Sequence, residues 1–361
     1  MKRMLTFFTA GVSILVNAAP ASPCTAFSVK NSNGRQVAKN FDWYIGDGLV
    51  VVNPRGVRRS QAQKTNGKPV EWVSKYGSVS LTTFAPGFPV SGMNEEGLVV
   101  ESLHHTNFRR RLQTGEGLVS LEWVQYVLDR CQSVAEVKQF AAQNGFGQAI
   151  IPLHFFVTDA FGNSLVVYGQ LDQIQMISGK QLPIPVLANN HYFKDLAKYR
   201  NLKKRTWLQR LFSPDDDGGR FGIIAKGLNV LPSDDAVFKL LHAARIPTLT
   251  QWQILWNQTH KSLRWRSFEN RRPKKRARID FRQLDFSCRP QPLVSDTRSD
   301  AGVHFAPYSA VDQTQATVRT QAIESALGKK LPEEIVTAFG KPLKCAFENV
   351  HVNNAHSILG E

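Results

Sequence analysis

The segments of this chain with strand-like and helix-like patterns occur in blocks. Strand patterns fill residues 24–100, two helix patterns follow over 121–144, and a strand pair at 154–168 precedes helix patterns over 193–245 and further strands over 250–268. Blocks of this kind are typical of antiparallel sheets covered by helices, whereas strict β-α alternation would favour a parallel sheet. The order therefore predicts an α+β fold with helices on the outer faces of its sheets.

Turn and periodicity signals place individual elements within these blocks. Asn31 to Gly34 have hairpin-turn chemistry and join strand patterns at Cys24–Val29 and Gln36–Trp43. A helix is predicted where apolar residues recur at helical spacing, at Leu121, Val124, Val127, Leu128 and Cys131. We therefore expect Cys131 to be a small core residue of that helix.

The first residues have the layout of an export signal. Residues 4–29 contain no charged side chain, and Lys2 and Arg3 precede them. The apolar stretch Leu5–Ala19 has the length of a signal-peptide core and is short for a membrane span, which needs roughly 20 apolar residues. We therefore expect the mature protein to be exported, and to be periplasmic or secreted.

The end of this leader determines which residue becomes the N-terminus. The small-residue site around Ala21 predicts cleavage after that residue, and trimming of Ser22 and Pro23 would expose Cys24. Residues 1–23 are therefore interpreted as a signal peptide plus a short pro-segment. Cys24 has three interpretations at this point: a lipid-acylation site, a partner in a disulfide, or a catalytic nucleophile.

The chain is strongly basic, with 45 Lys and Arg against 29 Asp and Glu and a formal net charge of +16. Such a charge raises the question of an anionic partner. The densest run is Arg271–Arg278, and Arg109–Arg111 is shorter. Because an exported protein seldom meets nucleic acid, we expect no nucleic-acid partner. We interpret Arg271–Arg278 as a solvated loop or as a patch that faces an anionic membrane or envelope surface. Whether the chain forms a homo-oligomer stays open.

Four cysteines in 361 residues exclude a dense disulfide scaffold, and the lack of CxxC and HExxH motifs excludes the commonest zinc sites. We expect neither a metal nor a cofactor. Cys288 and Cys345 are the pair that is left when Cys24 and Cys131 have other roles. A disulfide and two free buried thiols are both compatible with the sequence.

Four groups of motifs carry a resemblance when they are taken in order. They are Cys24-Thr25-Ala26-Phe27 with Lys39-Asn40-Phe41-Asp42-Trp43; Gly92-Met93-Asn94-Glu95-Glu96-Gly97-Leu98; Val186-Leu187-Ala188-Asn189-Asn190; and Arg220-Phe221 with Phe238-Lys239-Leu240-Leu241 and Thr250-Gln251-Trp252. Each motif is short, but four in register behind a signal peptide resemble the choloylglycine hydrolase and penicillin V acylase family of N-terminal nucleophile hydrolases.

The resemblance extends from Cys24 to about Ile323. It implies the four-layer αββα sandwich of antiparallel sheets that this superfamily has, in agreement with the block order. It also implies one amidohydrolase domain over residues 24–325. Residues 326–361 are then a C-terminal extension of unknown role.

An N-terminal cysteine has a thiol nucleophile and an α-amino group on one residue. The ordinary pKa of that amine, about 7.7 to 8.0, suits a general base near neutral pH. Removal of the leader would therefore be activation, because an amide nitrogen cannot take up the proton. The resemblance implies that Cys24 is this nucleophile and that Asp42 orients its amine. The alternative for Asp42 is a turn or surface aspartate.

The resemblance implies two further catalytic roles. Asn189 would donate its side-chain amide to the oxyanion hole, and Arg220 would complete the polar cluster near Cys24. The alternatives are an asparagine that caps a loop, with Asn190 as the neighbouring candidate for the site, and a surface arginine at the start of a helix.

Two positions depart from the family pattern. Lys39 stands where the family usually has arginine, so it either favours the thiolate electrostatically without the planar donor fork or is a solvated strand lysine. His104 falls where other members have Asn or Tyr, and it would support the oxyanion hole or line the substrate mouth. Adjacent His105 should point to the opposite face of the strand. These departures leave the substrate preference open.

These residues together predict an exported N-terminal cysteine amidohydrolase that cleaves a linear C–N bond of a small acyl-amide substrate through an acyl-enzyme. Penicillin V, conjugated bile acids and N-acyl homoserine lactones are candidate substrates. Two other functions stay open: a catalytically silent envelope binding protein on the same fold, anchored or tied through Cys24, and a basic envelope protein that binds an anionic polymer through Arg271–Arg278.

Overall fold

A computed structural model describes residues 24–62, 69–105, 118–144, 146–147, 152–170, 173–203, 219–274, 276–299 and 302–346. The predicted leader, residues 1–23, and the short basic run Arg109–Arg111 lie outside the described residues. Within the described ranges, no helix is both long and apolar enough to cross a membrane. Two large antiparallel sheets contain most of the described strands.

The first sheet has seven strands and contains the N-terminal hairpin. Its strands are β1 (Thr25–Asn31), β2 (Gly34–Asp42), β14 (Val186–Leu187), β15 (Thr250–Asn257), β16 (Ser262–Glu269), β17 (Arg272–Pro273) and β18 (Ala277–Asp280). The hydrogen-bonded order is β14, β1, β2, β15, β16, β17, and β18 also pairs with β16. Strands from both halves of the chain therefore lie side by side, with β2 at the centre.

The second sheet has nine strands and is also antiparallel. Its strands are β3 (Leu49–Asn53), β6 (Ser78–Thr82), β7 (Ser91–Asn94), β8 (Val99–His104), β11 (Leu153–Thr158), β12 (Ser164–Gln170), β13 (Gln173–Ser178), β19 (Leu293–Asp296) and β20 (Ala306–Pro307). The order is β13, β12, β11, β8, β7, β6, β3, β19, β20. Two small sheets flank it: β4 (Val57–Ser60), β5 (Glu71–Val73) and β21 (Lys344–Cys345) in one, and the parallel pair β9 (Leu118–Val119) and β10 (Phe146–Gly147) in the other.

Helices pack on the outer faces of the two stacked sheets. The described α-helices of the chain are α1 (Ser120–Arg130), α2 (Val134–Gln143), α3 (Tyr192–Lys203), α4 (Gly219–Gly227), α5 (Asp234–Ala243), α6 (Ala310–Leu327) and α7 (Glu333–Thr337). The helices α1 and α2 contact the nine-stranded sheet, α4 and α5 contact the seven-stranded sheet, and β1 meets β8 and β11 between the sheets. The predicted α+β fold with αββα layers is therefore confirmed.

Two apolar clusters hold these layers together. The larger lies mainly between the sheets and includes Phe27, Met93 and Trp256, while the smaller lies under α1 and α2 and includes Trp123 and Phe155. Cys131 follows α1 directly and is buried in the smaller cluster, as predicted. Buried apolar area of this kind supplies the main driving force for folding.

The N-terminal hairpin forms where its turn chemistry predicts. The side-chain oxygen of Asn31 accepts a hydrogen bond from the backbone N–H of Asn33 at 2.9 Å, which is the local bond of an Asx turn. Gly34 has φ +96°, and a Cβ there would meet the Thr259 side chain. The turn therefore requires glycine, and the register it sets pairs Thr25 with Asn40.

The C-terminal segment packs against the rest of the chain. Helix α6 runs across residue 325, where the sequence analysis ends the domain. Beyond it, β21 pairs with β4, and Cys345 forms a disulfide with Cys288, 57 residues away in the chain. The open question about these two cysteines is thereby settled in favour of the disulfide. Cys24 is a free cysteine and forms no disulfide with another described cysteine.

Most described residues of the basic run Arg271–Arg278 are exposed, as a solvated segment requires, but the run is not a loop throughout. Parts of it form β17 and β18, which both pair with β16. Lys274 lies 3.3 Å from Glu269, and Arg276 forms an ion pair with Asp235 while its guanidinium lies 4.3 Å from the centre of the Phe238 ring. The run is therefore partly neutralised by local pairing and stacking.

Candidate active site

Cys24 directly precedes β1, an internal strand of the seven-stranded sheet, and borders a cavity lined by residues of both large sheets. Cys24 is 4% exposed, and its Sγ lies 3.7 Å from the backbone oxygen of Asp42, which accepts the S–H. Burial raises the pKa of the Cys24 thiol, while the positive charges of Lys39 and Arg220 oppose the rise. The thiol is therefore protonated at neutral pH, so it needs a base before it can attack a carbonyl carbon.

Asp42 ends β2 with its carboxylate fully buried. Its Oδ2 lies 3.2 Å from Nη1 of Arg220, and its Oδ1 accepts a hydrogen bond from the Thr250 hydroxyl. Burial raises the pKa of Asp42 to about 6, against the opposing charge of Arg220. The surface and turn interpretation of Asp42 is therefore wrong, because a buried carboxylate with an arginine partner is part of an internal polar cluster.

Arg220 lies in the first turn of α4 and joins three polar groups. Its Nη1 donates to the Thr25 hydroxyl at 3.1 Å as well as to Asp42, and its Nη2 donates to Oδ1 of Asn189 at 3.1 Å. The planar guanidinium can reach all three because its donors point in fixed directions. Arg220 is therefore not a surface arginine.

Asn189 follows β14, and both the oxygen and the nitrogen of its side-chain amide form hydrogen bonds. Its Oδ1 accepts from Arg220, and its Nδ2 donates to the backbone oxygen of His104 at 2.6 Å. The neighbouring Asn190 instead donates to Asp195 of α3 at 2.8 Å. Asn190 therefore bonds to the helix, whereas Asn189 faces the polar cluster, and this geometry favours Asn189 over the alternative register.

Lys39 is fully buried between the sheets, so its interpretation as a solvated strand lysine is wrong. Its Nζ lies 3.1 Å from Oε2 of Glu101 and donates to the backbone oxygens of Val90 and Ser102 at 2.8 and 2.7 Å. Burial raises the pKa of Glu101, while Lys39 opposes the rise. Lys39 therefore links the two sheets. Its positive charge also opposes the rise that burial causes in the pKa of Cys24.

His104 lines the cavity next to Cys24, as one of its two predicted roles requires. Burial lowers its pKa to about 4, so the ring is neutral near pH 7. His105 lies on the other side of the strand, with its ring centre 5.0 Å from that of His154 and 5.2 Å from that of Tyr168. The expected opposite placement of the two histidines is therefore seen.

The cavity above Cys24 is lined almost wholly by apolar side chains. None of its lining residues has a charged side chain: Cys24, Phe41, Trp43, Thr83, Phe84, Phe88, Val90, Ser102, His104, Val119, Ser120, Leu121, Leu153, Leu331, Ile335 and Phe339. Such a lining suits an uncharged apolar group, because a charge would lose its hydration there without gaining a partner.

Sequence reasoning assigned no role to several residues of this site. Thr25 and Thr250 lie within the quoted motifs, but only the folded chain brings their hydroxyls to Arg220 and Asp42. Glu101 interrupts an apolar strand, and that pattern is the signal that could have indicated a buried, paired charge. In the part of the chain that the structure describes, no cluster of three or more His, Cys, Asp or Glu could hold a metal ion.

The buried carboxyl of Asp42 should make stability depend on pH. Its folded pKa is about 6 against an ordinary value of 3.8, so the folded state binds the proton more tightly. This contribution is fully present below pH 3.8 and is lost as the pH rises through about 6. The free energy of unfolding of the wild type, relative to Asp42→Asn, should fall by about 3 kcal/mol over that interval.

Urea unfolding of both proteins across this pH range measures the difference. Because Asp42→Asn cannot titrate at this position, other groups largely cancel between the two proteins. If the free energy of unfolding of the wild type relative to Asp42→Asn stays constant or rises with pH, burial does not raise the pKa of Asp42.

The comparisons with known proteins agree with this geometry. Residues 24–236, more than half of the chain, match the family described as linear amide C-N hydrolases, choloylglycine hydrolase family. The chain therefore belongs to the choloylglycine hydrolase family, and it is a hydrolase that acts on linear amides. No curated protein sequence matches it significantly.

Two solved structures illustrate the likeness of the fold. Penicillin V acylase from Agrobacterium tumefaciens is 25% identical with a TM-score of 0.61, and the match covers 75% of this chain and 90% of that one. A mutant of the conjugated bile acid hydrolase from Clostridium perfringens is 18% identical with a TM-score of 0.56, and the match covers 79% and 100% of the two chains. The second likeness is one of fold alone.

Proposed function

We propose that this chain is an exported N-terminal cysteine amidohydrolase that releases an apolar acyl group from a linear amide through an acyl-enzyme. One observation carries the proposal: the thiol of Cys24 lies at the border between an uncharged apolar cavity and the Asp42–Arg220–Asn189 cluster. The cavity would hold the acyl group, and the cluster would serve the chemistry of the scissile bond.

Removal of residues 1–23 would free the α-amino group of Cys24. In the acylation step, that amine takes the proton from Sγ as Sγ bonds to the carbonyl carbon. The tetrahedral intermediate then collapses: the C–N bond breaks, and the leaving amine takes the proton from the α-ammonium. The products of this half-reaction are a thioester at Cys24 and a free amine.

Water completes the reaction in the second half. The α-amino group takes a proton from the water as its oxygen attacks the thioester carbon, and Sγ leaves as a thiolate that recovers that proton. The carboxylic acid departs, and the site returns to its first state. The two half-reactions require no external oxidant and no cofactor.

The charged cluster would support both half-reactions. Asp42 would hold the α-ammonium while it carries the transferred proton, and Arg220 would keep Asp42 ionised and orient Asn189. Asn189 would stabilise the developing oxyanion with its side-chain amide, which Arg220 and the backbone oxygen of His104 orient.

The test requires protein with a verified N-terminus. Intact-mass analysis of the exported protein should show a chain that begins at Cys24 with an unmodified amine. That protein should hydrolyse at least one of penicillin V, glycine- or taurine-conjugated bile acids and N-acyl homoserine lactones. A diacylated Cys24, or retention of Ser22-Pro23 in an active protein, would overturn the mechanism. Lack of turnover across the panel would favour the silent binding protein.

A further inference from the structure

The C-terminal segment contributes one wall of the cavity above Cys24. Leu331, Ile335 and Phe339 line the cavity from the segment just before α7, from α7 itself and from the turn after it. Ile335 and Phe339 are 2% and 3% exposed, and the Phe339 ring packs edge-on against Phe88 with 5.3 Å between ring centres. We call these three residues the C-terminal wall. It lies well beyond residue 236, where the match to the family ends.

This wall is anchored on both sides. Before it, the backbone N–H of Leu331 donates to the carboxylate of Glu324 on α6 at 2.7 Å. After it, the chain pairs with β4 through β21, and the backbone N–H of Leu343 donates to the oxygen of Pro290 at 2.8 Å. The Cys288–Cys345 disulfide closes the second anchor covalently. The wall is therefore held in place by α6 on one side and by the small three-stranded sheet on the other.

We propose that the C-terminal wall is a specificity-determining element for the acyl group, and that the Cys288–Cys345 disulfide keeps it closed over the cavity. The proposal rests on the proposed function and extends it from the reacting atoms to the far part of the substrate. A long apolar acyl chain would reach from Cys24 to Phe339, whereas a short one would end before it. The wall should then distinguish acyl groups by length and leave the chemical step unchanged.

The test compares decanoyl and butanoyl p-nitroanilide as substrates of the wild type and of Phe339→Ala. Loss of the ring should lower kcat/KM for the decanoyl substrate about 10-fold, chiefly through KM, because several apolar contacts are lost. For the butanoyl substrate the change should stay below about twofold. Thr337→Ala, at an exposed position at the end of α7 and close to Phe339 in the chain, is the matched control and should change neither value.

The anchor is tested separately with Cys288→Ser/Cys345→Ser. This double variant should show the same selective loss for the decanoyl substrate, and dithiothreitol should reproduce it in the wild type. Thermal unfolding of each variant confirms that it is folded. If both substrates lose activity equally in Phe339→Ala, the wall has only a structural role and the proposal fails. An unchanged ratio between the substrates also overturns it.

Failure of the proposed function would look different. If the wild type hydrolysed neither anilide, binding of decanoate and butanoate would be measured by calorimetry on the wild type and on Phe339→Ala. Weaker decanoate binding by the variant, with butanoate unaffected, would support the wall without catalysis. Equal decanoate binding by the two proteins would reject it.

Discussion

Replacing Cys24 by Ser should abolish amide hydrolysis, with kcat/KM reduced by more than about 1,000-fold. The variant keeps the shape of the residue, so the buried start of β1 should fold as before. It loses the sulfur nucleophile, and a serine hydroxyl is much harder to deprotonate than a thiol. The measurement is hydrolysis of whichever amide the wild type turns over, with the mass of both proteins confirming that residue 24 is the N-terminus.

The other free cysteine in the described part of the chain provides the matched control. Cys131 is buried in the smaller cluster, and burial raises its pKa to about 12, so its thiol is unreactive. Cys131→Ala should therefore keep the wild-type kcat. A quench during turnover should also show the mass of an acyl group on the wild type. Turnover at the wild-type rate by Cys24→Ser would refute the assignment of the nucleophile.

Replacing Asp42 by Asn should lower kcat by at least about 100-fold while the protein stays folded. Asparagine has nearly the same shape as aspartate but no charge, so it can neither hold the α-ammonium nor pair with Arg220, which lies 3.2 Å from Oδ2. The loss should appear in kcat, because Asp42 lies outside the lining of the apolar cavity that would bind the acyl group. Steady-state kinetics and circular dichroism at pH 7 measure the two effects.

A second buried aspartate separates catalysis from stability. Asp129 is fully buried, lies 3.1 Å from Arg59 and accepts hydrogen bonds from Trp72 and Gln125 at 2.7 and 2.8 Å. Asp129→Asn should lower the free energy of unfolding by about 3 kcal/mol and leave kcat unchanged. If Asp42→Asn had the same profile as Asp129→Asn, Asp42 would be a structural residue.

Local patterns predicted most of the secondary structure, and the resemblance of the motifs to a known family predicted the central site residues. The hairpin turn at Asn31–Gly34 and the helical spacing after Leu121 depend on neighbours in the chain, so they can be recognised before folding. The leader directed attention to Cys24 without choosing among its three interpretations, and the family resemblance supplied the roles of Cys24 and Asp42. Both signals are one-dimensional, because they depend only on the order of residues along the chain.

Contacts between distant segments could not be predicted in the same way. The sequence did not show whether Lys39 supports the thiolate or is a solvated strand lysine, because its partner Glu101 lies in the other sheet. Only stacking of the sheets brings the two charges to a separation of 3.1 Å. The sequence motif alone does not distinguish the roles of Asn189 and Asn190. The direction of each amide depends on Arg220 for one and Asp195 for the other, and both partners lie in helices.

The sequence by itself determined the block order of the αββα fold and the family to which the chain belongs. These follow from spacing, composition and motif order, which are properties of the linear chain. Only the tertiary structure decided the pairing of Cys288 with Cys345, the burial of Lys39 and the place of residues 331–339 beside Cys24. Each of these joins segments far apart in the chain, and their contact depends on how whole layers pack, which no local pattern records.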